Sequence, residues 1–164
     1  MRRLTGNVNA VVDTPKGSRN KYAWDEELGL FMLKGVLAAG HVFPYDFGYI
    51  PGTTGGDGDP LDVLIIADEP TFVGCLVEVR LIGIIEAEQT ELEGSTERND
   101  RLIAVAAESP THENIRSIND LDPKLVDNIE HFFISYNEAK GKTFTPLGRY
   151  AARKAQAVLE KSLL

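Results

Sequence analysis

One cysteine in 164 residues leaves no internal disulfide to form, and a lone thiol fits a reducing, cytoplasmic setting. Cys75 sits between Gly74 and Leu76 in apolar surroundings and reads as structural. Long hydrophobic runs are also missing. Stretches such as Val63 to Ala67 are far too short to span a bilayer, so no membrane role is expected. The basic start, Met1 to Gly6, lacks the apolar stretch of a signal peptide. Positive charge is scarce, with 17 Lys and Arg against 25 Asp and Glu and a net charge of -8. That balance argues against a nucleic-acid partner, which calls for a clustered basic face. It also means that an anionic substrate must be met by a local basic cluster or by bound metal. There is no repeat, low-complexity tract or linker, and the length suits one domain over residues 1–164.

What is present in force is acid. The run Gly56-Asp57-Gly58-Asp59-Pro60-Leu61-Asp62-Val63 sets three carboxylates within six residues, between a glycine-rich turn and an apolar strand. Anions this close repel one another, and burial beside a strand penalises their charged forms further. A hard divalent cation relieves both, since Mg2+ takes one or two carboxylates and keeps its other positions for water or phosphate oxygens. Asp, Gly and Pro also build ordinary solvated turns, but a third Asp directly before Val63-Leu64-Ile65-Ile66 favours the metal. An EF-hand loop starting at Asp57 needs Gly sixth and Glu twelfth, where Asp62 and Asp68 stand. A phosphatase nucleophile at Asp57 calls for the apolar strand before the acids, and here it follows.

The expected elements are mostly strands. They are Asn7 to Val12, a hairpin of Lys21 to Trp24 with Leu30 to Leu33, Leu61 to Ala67, Leu76 to Ile85 and Arg101 to Ala107. The polar, acidic Glu86 to Asp100 reads as a long hairpin loop. A helix starts at Asp122-Pro123, carries Leu125, Ile129, Phe132, Phe133 and Tyr136 at helical spacing, and stops at Gly141. A second helix is expected from about Leu147 to the C-terminus. Strands followed by two terminal helices suggest an α+β, mainly β protein with a small barrel.

Asp57-Gly58-Asp59-Pro60-Leu61-Asp62-Val63 matches the signature of the family I soluble inorganic pyrophosphatases. The resemblance continues through Val12-Asp13-Thr14-Pro15, Asn20-Lys21-Tyr22, Phe43 to Pro51 and His131-Phe132-Phe133. It implies a five-stranded OB-like closed barrel with two flanking C-terminal helices and a cytoplasmic enzyme. It also implies Mg2+ dependence and a homo-oligomer, a hexamer in bacterial members. By position, Asp57 and Asp62 resemble ligands of the tightest metal site, and Asp59 the carboxylate that deprotonates the attacking water. Asp13 matches a position supporting an outer metal. Lys21, Tyr136 and Arg101 resemble phosphate-contacting residues, Arg101 standing where Lys is usual.

The departures from that pattern cluster on the chemistry. Ala23 stands where a Glu is expected, and Gly35 where a phosphate-binding Arg is, with Lys34 adjacent as a substitute charge. Phe47 replaces a Tyr, Asn137 a Lys, and Gln89 and Asn99 fall at two metal-binding Asp positions, Asn99 keeping an oxygen ligand. Each amide lacks the charge that holds a cation, and each lost cation thins the substrate's side of the site. A glutamate or aspartate of the Glu86 to Asp100 loop is the available compensation. The leading expectation is Mg2+-dependent hydrolysis of pyrophosphate by metal-activated water, at reduced rate. The alternatives are a metal- and phosphate-binding relative without turnover, and a hydrolase of another phosphoanhydride.

Overall fold

The computed structural model describes residues 6–164, so the basic Met1 to Thr5 lies outside the described residues. Strand β1 (Val8–Thr14) alternates, placing Val8, Ala10 and Val12 in the core. It pairs antiparallel with both β4 (Asp46–Tyr49) and β6 (Leu76–Thr90). β4 pairs with β5 (Asp62–Ile66), β5 runs parallel to β8 (Arg101–Ala106), and β8 returns antiparallel to β6. The ring β1-β4-β5-β8-β6 therefore closes on itself, which is the expected five-stranded barrel and removes its free edges.

β5 and β8 read as unbroken apolar runs because both faces of that wall are covered. Val63, Ile65, Leu102 and Ala104 pack with β1 and with Ala155 and Leu159. Leu64, Ile66, Ile103 and Val105 pack on the other side with Ile129 and Phe133. Where β1 passes β4 the strands come so close that only glycine fits. A Cβ on Gly48 would lie 1.9 Å from the Val11 carbonyl oxygen. Gly48→Ala should therefore lower stability by about 3 kcal/mol or more, measured by urea unfolding. An unchanged midpoint would mean that β1 and β4 are not this close.

β2 (Asn20–Asp25) and β3 (Leu30–Val36) form the expected hairpin outside the barrel, turning at Gly29 with φ 65. Helix α1 (Pro123–Glu138) starts as expected, with the Asp122 carboxylate accepting from the Lys124 amide at 2.9 Å. It ends where expected too. Gly141, at φ 76, donates to Glu138 O and Lys142 to Asn137 O, both 2.9 Å, a Schellman closure. No helix among the described residues is long and apolar enough to cross a membrane.

Two expectations are corrected. Leu147 does not begin a helix. Thr143–Ala151 is strand β9, on the outer edge of β6, and α2 covers only Ala152–Ser162. The apolar spacing of Leu147, Ala151 and Ala155 mimics a helix, and Pro146 with Gly148 hides a strand. Pro146 is tolerated at the register break opposite Ala87, next to the Glu86/Ala87 shift. Nor is Glu86 to Asp100 a long loop. β6 runs on to Thr90 and pairs with β7 (Thr96–Arg98), leaving a short tip with Gly94 at φ 95. That extension is polar apart from the buried Ala87, so it carries no hydrophobic alternation to mark it.

Candidate active site

The acidic turn leads into β5. Gly55 N donates to Asp59 O at 2.7 Å and Gly58, at φ +85, to Gly55 O at 3.1 Å. The Asp57 carboxylate accepts from the Asp59 amide at 3.0 Å, so Asp57 is fixed by the turn it belongs to. Asp62 opens β5, with Tyr49 opposite on one side and Arg101 on the other. Asp57 and Asp62 line one narrow cleft, with about 20 Å³ of open space, together with Arg98, Asn99 and Asp100. Asp59 is exposed on the turn and not among the residues lining that cleft. Among the described residues, no three or more His, Cys, Asp or Glu side chains converge as a complete metal cage.

Arg101 is the unusual member. Its side chain is 5% exposed, and Nη1 donates to Asp62 Oδ2 at 2.6 Å and also to Asn99 Oδ1. The guanidinium carbon lies 4.9, 5.4 and 5.8 Å from the rings of Phe133, Phe144 and Phe47. Its buried Nε has no hydrogen-bond partner among the described residues. The Phe47 ring thus faces two cations, since Lys21 Nζ also sits 5.2 Å from it. Asn99 Nδ2 donates to Gln89 Oε1 at 2.9 Å, and Gln89 Nε2 to Glu91 Oε1 at 3.0 Å. Gln89 on β6 and Asn99, in the link between β7 and β8, meet in space. Their amides satisfy each other and the guanidinium.

Burial and mutual repulsion shape the acids. Burial pushes the Asp62 carboxyl up to about 6; Arg101 opposes this, while Asp57 and Asp13 add to it. Asp57 is raised for the same first reason. Asp13, on β1, is 7% exposed and raised by burial against the pull of Lys21, whose Nζ is 2.8 Å away. Lys21 also donates to Thr14 Oγ1 at 3.2 Å and Tyr22 O at 2.6 Å. Burial holds Tyr136 up at about 12, and it too feels Arg101, Asp13 and Asp62.

Lys21 and Tyr136 face a second, larger cavity of about 550 Å³ between β3 and the end of α1. Lys34 and Gly35 line it from β3, and His41, Lys140 and Lys142 add to its basic wall. Asn137 does not reach it; its amide turns back to Phe133 O at 2.8 Å. Ala23 pairs with Met32 on the hairpin.

Sequence reasoning missed Arg98, Lys140 and Lys142. Arg98 reaches Asp100 at 3.0 Å and Glu86 at 3.5 Å, across strands whose pairing the sequence did not reveal. Asp100 is the loop acid that arrives at the cleft, with Oδ1 also accepting from the Ala87 amide at 3.0 Å. Lys140 and Lys142 flank Gly141, and that helix stop was the available signal.

Residues 10–164 match the family described as inorganic pyrophosphatase. An inorganic pyrophosphatase of Halalkalibacterium halodurans is 40% identical over 152 residues, covering 93% of this chain and 90% of that protein. One from a Nostoc species is 36% identical over 158 residues, covering 96% and 90%. The crystal structure of inorganic pyrophosphatase from Thermus thermophilus superposes with a TM-score of 0.89 at 32% identity, covering 99% of this chain and 92% of that one. The Helicobacter pylori enzyme gives 0.89 at 32%, covering 98% and 94%.

Proposed function

The chain belongs to the inorganic pyrophosphatase family, and from that premise we propose that it hydrolyses inorganic pyrophosphate to two phosphates with Mg2+ as its metal. The enzyme is an inorganic diphosphatase, and its family is metal-dependent. The observation that carries the assignment to this site is the pairing of Asp57 and Asp62 on one cleft, with a basic cavity lined by Lys21, whose charge Asp62 feels.

The donor set fits one divalent ion. Two carboxylates, both raised by burial, Asp62 also by Asp57 and Asp57 by Asp59, offer hard oxygens whose repulsion a dication relieves. Asn99 and Gln89 do not fit a second. Asn99 Oδ1 faces a guanidinium, its Nδ2 is spent on Gln89, and Gln89 is turned toward Glu91. The expected metal role of Asn99 is therefore not carried forward.

Asp57 and Asp62 would hold the ion, which when bound supplies positive charge to the phosphoanhydride and makes water acidic enough to attack near neutral pH. Asp59, exposed at the mouth of the turn, accepts the proton of the attacking water. Asp13 positions Lys21 through their 2.8 Å ion pair. Lys21 and Tyr136 hold a phosphoryl group at the edge of the basic cavity, with Lys34 adding charge from β3. Arg101 fixes the Asp62 carboxylate from within the protein. Hydrolysis of this bond is chiefly a matter of positioning and charge neutralisation, which these groups provide.

Phosphate release from pyrophosphate is the direct test, and it should require Mg2+. No release at any Mg2+ concentration would leave a metal- and phosphate-binding relative in its place. The Asp62 titration adds a signature. A carboxyl near 6 is protonated as pH falls through that value, and the neutral acid no longer ligates. The Mg2+ dissociation constant should rise roughly tenfold from pH 7 to pH 5 by calorimetry. A flat dependence would exclude Asp62 as a ligand.

A further inference from the structure

The large cavity has more room and more organic surface than pyrophosphate uses. Cavities of about 300–1,000 Å³ suit molecules of drug size, and this one holds about 550 Å³. One wall is cationic. Lys142 is tied to Glu91 at 2.8 Å and Lys21 to Asp13, but Lys34 and Lys140 form no ion pair among the described residues. Lys140 lies 3.9 Å from the Tyr136 ring centroid, and desolvation with the nearby Lys142, Lys21, Arg101 and Lys34 lowers it to about 8. In a chain of net charge -8, that local excess of cations calls for an anion. The other wall is apolar, from Val36, Leu37, Ala38 and Ala139. A bare pyrophosphate has nothing to place there.

Gly35 opens the space between the two walls. It pairs directly with Lys21 across the hairpin, its φ is outside the left-handed region, and a Cβ there would meet nothing within 4 Å. A side chain can therefore start here without a clash, and none stands between Lys21 and the apolar wall at this position.

We infer that the cavity admits the organic group of a diphosphate monoester, so that the enzyme cleaves substituted phosphoanhydrides as well as pyrophosphate. This rests on the reading above, since the same carboxylate cleft performs both reactions. The diphosphate lies between Lys21 and the cleft, Lys34 and Lys140 neutralise its charge, and the ester group packs on Val36, Leu37 and Ala139. Water oxygen bonds to the terminal phosphorus, and the bridging P–O bond breaks with its electron pair on the ester phosphate. One water proton stays on the released phosphate and the other passes to solvent.

The test compares pyrophosphate, ADP and isopentenyl diphosphate, by phosphate release with Mg2+, for the parent chain and Gly35→Leu. Leucine narrows the passage without changing charge. At least one ester should show a kcat/KM within tenfold of that for pyrophosphate, ADP marking a nucleoside group and isopentenyl diphosphate an aliphatic one. Gly35→Leu should lower the ester-to-pyrophosphate ratio of kcat/KM tenfold or more. Ester turnover more than tenfold below pyrophosphate, or a ratio unmoved by Gly35→Leu, overturns the inference. Ester cleavage without pyrophosphate cleavage upholds it and defeats the pyrophosphate assignment. Should neither be cleaved, ester hydrolysis fails together with the pyrophosphatase reading, and calorimetry with α,β-methylene-ADP tests separately whether the cavity admits the ester group. Binding weakened tenfold by both Gly35→Leu and Lys140→Ala supports it, and absent or indifferent binding overturns it.

Discussion

Asp62→Ala should abolish Mg2+-dependent phosphate release and at the same time lower the melting temperature, whereas Asp57→Ala should abolish release alone. Both remove a carboxylate from the metal cleft, and losing such a group costs roughly 100-fold or more in rate. The difference lies behind them. Asp57 is half-buried and bonded to its own turn, so its removal leaves no charge stranded. Asp62 accepts Arg101 Nη1 at 2.6 Å, and that guanidinium is 5% exposed. Removing one partner of a buried ion pair costs about 3–5 kcal/mol, because the other remains desolvated and unpaired. At about 2–4 °C per kcal/mol for a chain of this size, the loss is easily seen by calorimetry. Equal melting temperatures in the two variants would mean that Arg101 finds another partner, and persisting activity in both would remove the metal cleft from the mechanism.

Arg101→Met is the second large effect, and its direction depends on metal. The thioether chain fits a box built from Phe47, Phe133 and Phe144. What it removes is the cation between Asp62 and Asn99. Without metal, Asp62 is left buried among Asp57 and Asp13 with its main counter-charge gone, again a loss of about 3–5 kcal/mol. With Mg2+, the ion takes over that neutralisation and no longer competes with an internal guanidinium. The variant should therefore start less stable than the parent, gain more from Mg2+, and bind it more tightly. Thermal unfolding across a Mg2+ titration reads both quantities. Parallel stabilisation curves for variant and parent would show that Arg101 and metal do not share Asp62.

The sequence carried the barrel and the acidic turn because their signals are local. Val63 to Ile66 and Leu102 to Ala106 are apolar runs, and Asp57, Asp59 and Asp62 lie within one turn and strand start. Through the resemblance it put Gln89 and Asn99 at two metal-binding positions, and in the structure their amides lie 2.9 Å apart. What it did not carry depends on partners distant in sequence. β9 is a strand because β6 offers it an edge, and nothing in Thr143-Phe144-Thr145-Pro146-Leu147-Gly148 announces that. The polar stretch Glu86 to Thr90 is ordered by the same pairing. Arg101 could be aligned with a phosphate-binding position, but its turn inward follows from Phe133 on α1 and Phe144 on β9, which a reading of β8 alone does not see. Lys140 and Lys142 acquire meaning only because the end of α1 and β3 line one cavity.

The parallel pairing of β5 with β8 has one more consequence, for the order in which the molecule is assembled. Asp62 and Arg101 are 39 residues apart, and no hairpin can bring them together. Their meeting waits on β6, which must first reverse the chain, and on the loop-closure entropy of that detour. The acidic turn can form early by itself, as a few backbone hydrogen bonds around Gly55 to Asp59. It stays a cluster of mutually repelling charges until the barrel closes and delivers the guanidinium. Asp62 thus meets its counter-charge only once β5 and β8 lie side by side.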